Sequence, residues 1–201
     1  MKDKYNAGLM SQSFWFIEFK KLVLLYHDGK DYNEIKRLCI EENLFGAINP
    51  NREKRMYGYL ITRLKSMDDR LIDIFVNSDI NTQKLINLIT VMNTNKLFFE
   101  FVYDVYRNKL LIGEMSIELK DVNVFFSYKE SQNEDLASWS ESTKKKLRSL
   151  FLNFLIEAGM VKWYDDKKQK RSVNKVFLSI PLEEYLKKMN TSIYKAITGV
   201  N

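Results

Sequence analysis

The chain has 201 residues, 45% hydrophobic and 13% aromatic, with a net charge of +6, two prolines, seven glycines and a single cysteine. That apolar content excludes a disordered chain, and the length suffices for one or two small domains with a proper core. Cys39 alone cannot make an intramolecular disulfide framework and suits a reducing cytoplasm. Residues 1–8 are polar, and no window reaches the ~18 apolar residues that a membrane span needs. The best candidate, residues 97–112, carries Glu100, Asp104, Arg107 and Lys109, so a cytoplasmic protein with no membrane partner is expected.

Taken in order, the chain reads as mainly α. The pattern predicts a first apolar helix over 13–28, a second from Asp31 to 43, and a third over 51–66 behind Pro50. A fourth is predicted from 68 to 77, a fifth from Asn81 or Thr82 to 93, an aromatic sixth over 96–112, and a seventh over 116–128. Residues 129–135 form a polar run that separates this helical body from the C-terminal third of the chain. The second and third helices have a helix-turn-helix-like order. On the third, Met56, Leu60, Leu64 and Met67 form the inward strip. Asn51, Arg55, Gly58 and Thr62 lie opposite, and Asn51, Arg52, Lys54 and Arg55 are candidate DNA contacts. A glycine at position 58 costs up to about 1 kcal/mol relative to alanine in an exposed helix. Close approach of a backbone or a phosphate justifies it; an ordinary surface helix with a tolerated glycine is the alternative.

The stretch from Trp139 to Pro181 is the most informative. A polar helix start leads into a helix rich in lysine and apolar residues, which stops at Ala158-Gly159. Strand-type segments at 160–164 and 173–180 come next, separated by a lysine-rich loop. Helix, glycine stop and basic hairpin in that order are the pattern of a winged helix-turn-helix, whose helix offers side chains to a groove and whose hairpin offers charge to the backbone. Residues 144–175 hold ten Lys/Arg against Glu157, Asp165 and Asp166, so this window carries +7 and the rest of the chain −1. On the helix, Leu147, Phe151, Phe154, Leu155 and Ala158 point inward; Ser142, Lys145, Ser149 and Asn153 point outward, with Lys146 and Arg148 on the flanks. With Lys167, Lys168, Lys170 and Arg171 of the loop these are the main candidate DNA contacts. Leu152 and Ile156 also face outward, which predicts that the second half of the helix packs under a neighbour or a second subunit. A merely solvated charge run is the alternative.

Signals for chemistry are absent. The seven glycines assemble neither a GxxxxGK[ST] loop nor GxGxxG, and one histidine and one cysteine exclude zinc sites with several such ligands. His27, beside Gly29, suits a helix C-terminus better than a catalytic triad. No enzyme activity and no metal or nucleotide cofactor are expected.

Residues 4–11 (KYNAGLMS), 40–44 (IEENL), 139–148 (WSESTKKKLR) and 157–159 (EAG) resemble the BrxA family of bacteriophage exclusion (BREX) systems over about residues 4–185. The resemblance implies a helical, non-enzymatic DNA-binding protein with winged-helix-like units at both ends, working beside a methyltransferase, an ATPase and a phosphatase-like protein. The resulting organisation is an N-terminal helical, helix-turn-helix-like domain (1–78), central helices (79–132), a C-terminal winged helix-turn-helix-like domain (133–189) and a tail (190–201). Duplex DNA is the leading partner. Two alternatives stay open: a protein–protein adaptor that docks through the aromatic helix 97–106, and an RNA-binding protein in which Trp163 and Tyr164 stack on bases.

Overall fold

The computed structural model describes residues 4–164 and 170–200. It is mainly helical, and among the described residues the named strands form one two-stranded antiparallel hairpin. Most helix starts are set by side-chain caps. Asp31 accepts from the backbone N–H groups of Asn33 and Glu34, while Glu34 accepts from that of Asp31, and this capping box opens α2 (Tyr32–Glu41) after α1 (Phe16–His27). Asn49 caps α3 (Pro50–Leu64), Asp68 caps α4 (Asp69–Val76), and Asp79 caps α5 (Ile80–Thr94), a residue or two ahead of the expected start.

Three elements differ from expectation for identifiable reasons. The aromatic helix over 96–112 comes in three pieces: α6 (Lys96–Phe101), a π turn (Val102–Tyr106) and α7 (Arg107–Ile112). The π turn, closed by the Arg107 N–H on the Val102 carbonyl, coincides with a wholly buried Tyr106, whose hydroxyl donates to the Asn174 carbonyl at 2.7 Å. The seventh helix, α8 (Leu119–Gln132), starts later than 116. The Ile117 N–H donates to Arg171 and the Val173 N–H to Met115, with Ser116 and Ser172 in an antiparallel bridge, so this backbone is committed to a sheet. The polar run after 128 continues α8 and then forms α9 (Glu134–Ala137). Third, the second strand is β2 (Arg171–Val173), pairing with β1 (Val161–Trp163), and not 173–180; Ser179 and Pro181 instead begin α11 (Ile180–Met189). Within the expected tail lies α12 (Thr191–Thr198), which buries Ile193, Ala196 and Ile197 against the π turn and α7.

The long basic helix is α10 (Glu141–Glu157), capped by Ser140, and it lies at the centre of the core. Phe14 meets Phe154 at 5.6 Å, Phe98 meets Phe151 at 5.1 Å, and Phe126 meets Phe151 at 5.5 Å, which joins the N-terminal segment, α6 and α8 to one helix. Leu152 is buried, as its outward apolar position predicts, and α10 packs against α8, α5, β1 and the 3-10 turn Gly8–Ser11. The aromatic helix proposed as a docking surface is itself core: Leu97, Phe98, Phe101, Val102 and Tyr106 are all buried, so these side chains are not offered to a partner.

The segment before α1 is held by Arg63, which is 1% exposed. Its guanidinium donates to the Phe14 carbonyl at 2.8 Å, the Ser13 carbonyl at 3.1 Å and the Gln12 side chain at 2.8 Å, while Asn87 donates to the same Phe14 carbonyl at 2.9 Å. Burial pulls the guanidinium down to about 9, which leaves it cationic near neutrality. Arg63→Ala strands buried carbonyls and opens a cavity; the expected loss is about 3 kcal/mol or more, a fall in Tm of roughly 6–12 °C by calorimetry. Arg63→Lys, which lacks the planar fork, recovers only part of it.

Candidate nucleic-acid interface

Ser142, Lys145, Lys146, Ser149 and Asn153 are all exposed on α10, and their spacing of three and four residues puts them on one face. Arg148 is different. Its side chain is only 19% exposed, its guanidinium reaches Glu130 at 3.4 Å and Glu141 at 3.8 Å, and it lies 5.3 Å over the Phe126 ring. Lys144, counted with the basic run, is 4% exposed and ties α10 to α8: its ammonium meets Glu130 at 3.0 Å, Glu141 at 3.1 Å and the Ala137 carbonyl at 3.2 Å. The bond to Glu130 foremost, then that to Glu141, raises the Lys144 pKa. That stabilisation is fully present below the ordinary lysine pKa of about 10.4, and it is lost only as pH rises through the higher folded value.

The hairpin holds the second group. Its register pairs Val161 with Val173, Lys162 with Ser172 and Trp163 with Arg171. The two valines are buried, Lys162 points to solvent, and the Arg171 guanidinium stacks 4.5 Å over the Trp163 ring. Lys170 is exposed, and its carbonyl accepts from the Tyr164 N–H at 2.8 Å. Lys167 and Lys168 lie outside the described residues. Among the described residues, Lys145, Lys146, Lys162, Lys170, Arg171 and Lys175 have no carboxylate within ion-pair distance, so the window's charge resolves into an inward pair and an outward set. Glu130 is the residue that sequence reasoning misses. It sits in the polar run that separates helical body from basic module in the sequence, and only the tertiary packing of α8 on α10 brings it to Lys144 and Arg148.

Asn51, Arg52, Lys54 and Arg55 are exposed on the first turns of α3, as expected, while Met56, Leu60, Leu64 and Met67 are buried. The turn before this helix is built by Glu53, 1% exposed, whose carboxylate accepts from the Phe45 N–H at 3.0 Å and the Ala47 N–H at 3.3 Å. Among the described residues no group of three or more His, Cys, Asp or Glu could hold a metal, and no helix is long and apolar enough to cross a membrane.

This fold is similar to that of an uncharacterized protein from Magnetospirillum magneticum, whose crystal structure superposes with a TM-score of 0.79 over 98% of this chain and 99% of that one at 18% identity. A BREX protein BrxA from Bacillus cereus (strain H3081.97) is 34% identical over 193 residues, 96% of this chain and 95% of that protein. These likenesses identify a BREX phage-defence protein. The BrxA family model matches residues 3–190, and the chain belongs to that family.

Because Lys144 and Glu130 hold α10 on α8, Lys144→Ala or Glu130→Ala lowers Tm by several degrees in differential scanning fluorimetry. Lys145→Ala and Lys146→Ala, on the open face, leave Tm within about 1–2 °C of the parent.

Proposed function

We propose that this protein is a non-enzymatic component of a BREX system that binds duplex DNA through a winged helix-turn-helix unit spanning residues 96–173. The carrying observation is the order of elements along the chain and the sheet they build. Helix α6–α7, the extended segment 115–117, α8, the short α9, α10, β1 and β2 succeed one another, and β2 bonds to β1 on one edge and to 115–117 on the other. Such a three-segment sheet braces the helix that enters a groove and projects the hairpin beside it, and this support extends the unit well ahead of residue 133.

In this reading Lys145 and Lys146 meet phosphates, and Ser142, Ser149 and Asn153 face the groove. Lys170 and Arg171, with Lys167 and Lys168 of the loop, carry the wing. Arg148, held on Glu130 and Phe126, orients the helix. Asn51, Arg52, Lys54 and Arg55 give α3 a second basic edge. Lysine acts on phosphate as a point charge, so binding is largely independent of sequence. A cytoplasmic setting accords with the ligand. A docking role toward other BREX proteins has its own support in the groove beside α7 and α8, where Ile112, Val124 and Tyr128 are 71%, 70% and 57% exposed.

Neutralising Lys145, Lys146, Lys170 and Arg171 together weakens binding to all duplexes alike and flattens the slope of log affinity against log salt by up to about 3.6, at roughly 0.9 per phosphate contact. Replacing Ser142, Ser149 and Asn153 by alanine leaves that slope unchanged. An unaltered slope in the four-fold variant, with the fold intact by circular dichroism, removes these cations from the DNA site.

A further inference from the structure

A cleft of about 740 Å³ opens between the N-terminal segment, α3 and the end of α5. Arg55, Gly58 and Thr62 of α3 form one wall; Lys4, Tyr59 and Asn93 also line it, and no carboxylate does among the described residues. Gly58 is the feature without an internal cause. It sits in the middle of a 15-residue helix with no positive φ, and a Cβ built there meets nothing within 4 Å. Neither backbone conformation nor packing within this chain therefore requires glycine, although glycine is poor in a helix interior. The bare backbone is exposed on the same strip as Asn51, Arg55 and Thr62, at spacings of three and four residues. Arg55 has no ion-pair partner among the described residues; Lys4 is the other cation and is paired with Asp135 at 3.1 Å.

We infer that this strip is a second nucleic-acid contact: a phosphodiester strand lies along α3, with a phosphate on Arg55 and the chain in van der Waals contact with the backbone at Gly58. A lining with cations, amides and hydroxyls but no acid selects an anion. The missing side chain lets it approach closer than any other residue allows. The inference rests on the DNA reading, in which α3 already offers a basic edge, and adds the cleft at Gly58 as the point where the strand comes closest.

The test uses the full chain and a labelled duplex in fluorescence anisotropy across a salt series, with Tm measured on every variant. Gly58→Ala is expected to raise Tm by about 2–4 °C, because alanine is the better helix former, and yet to weaken binding. Gly58→Leu, also a good helix former, fills the floor and weakens binding by about tenfold or more. Arg55→Gln flattens the salt slope by about 0.9. Lys145→Gln/Lys146→Gln runs alongside. If that variant weakens binding and both Gly58 variants bind like the parent, the cleft is not a DNA contact and the α10 reading stands. If neither weakens binding, both readings fall. If the Gly58 variants alone weaken it, the cleft is supported and α10 is not the site. A Tm lowered by Gly58→Ala overturns the inference at its premise, since the fold itself then requires glycine.

Discussion

The architecture turns on a guanidinium buried among carbonyl oxygens. Arg63 leaves α3 and gathers the acceptors of residues 12–14, with Asn87 of α5 sharing the Phe14 carbonyl. A buried cation loses its hydration, and here four uncharged oxygens, the fourth being Asn87 Oδ1 at 3.5 Å, compensate it with no acid among them. Those bonds fix where Phe14 enters the core and meets Phe154 of α10. The helix carrying the candidate DNA face thus packs on a segment that the N-terminal half holds in place. Tyr5 repeats the logic from the same segment: its hydroxyl donates to Glu100 at 2.6 Å, Glu100 pairs with Lys129 of α8 at 2.6 Å, and burial, then that bond, pushes the tyrosine up to about 12.

The same economy divides the positive charge. Lys109, Lys129 and Lys144 are each 9% exposed or less, and each is paired with two carboxylates. They fasten helices together; their charge is already matched. Exposed cations with no carboxylate within ion-pair distance include Lys145 and Lys146 of α10, Lys162 and Lys170 of the hairpin and Arg52, Lys54 and Arg55 of α3, where a polyanion can collect several at once. A polyanion releases counterions for each cation it meets, so free charges govern salt dependence and paired ones govern stability.

How much of this is legible in the sequence depends on which signals are local. The cap at Asp31, the proline at position 50, the polar start before α10 and the 3.6-residue period of α3 and α10 are written within a turn or two, and those elements fall where expected. Residues 116 and 117 read as helix in the sequence because Ile117 or Leu119, with Val122 and Phe125, keeps helical spacing; their sheet partner lies more than fifty residues away, and no local pattern announces it. Arg63 and Glu130 escape notice for the same reason, since a charged residue reads as surface until its distant acceptors are known. Arg148 and Lys145 look alike in a basic run and separate only once α8 packs on α10.

The most direct measurement is competition at one fixed salt concentration, in which unlabelled duplex DNA, single-stranded DNA and double-stranded RNA of matched sequence displace a labelled duplex from the intact protein. A helix face flanked by a basic hairpin fits the wide major groove of B-form DNA, whereas the deep, narrow groove of A-form RNA excludes side chains. Duplex DNA is expected to displace the probe at about tenfold lower concentration than either competitor. Equal or better competition by RNA or by the single strand contradicts a duplex-DNA site.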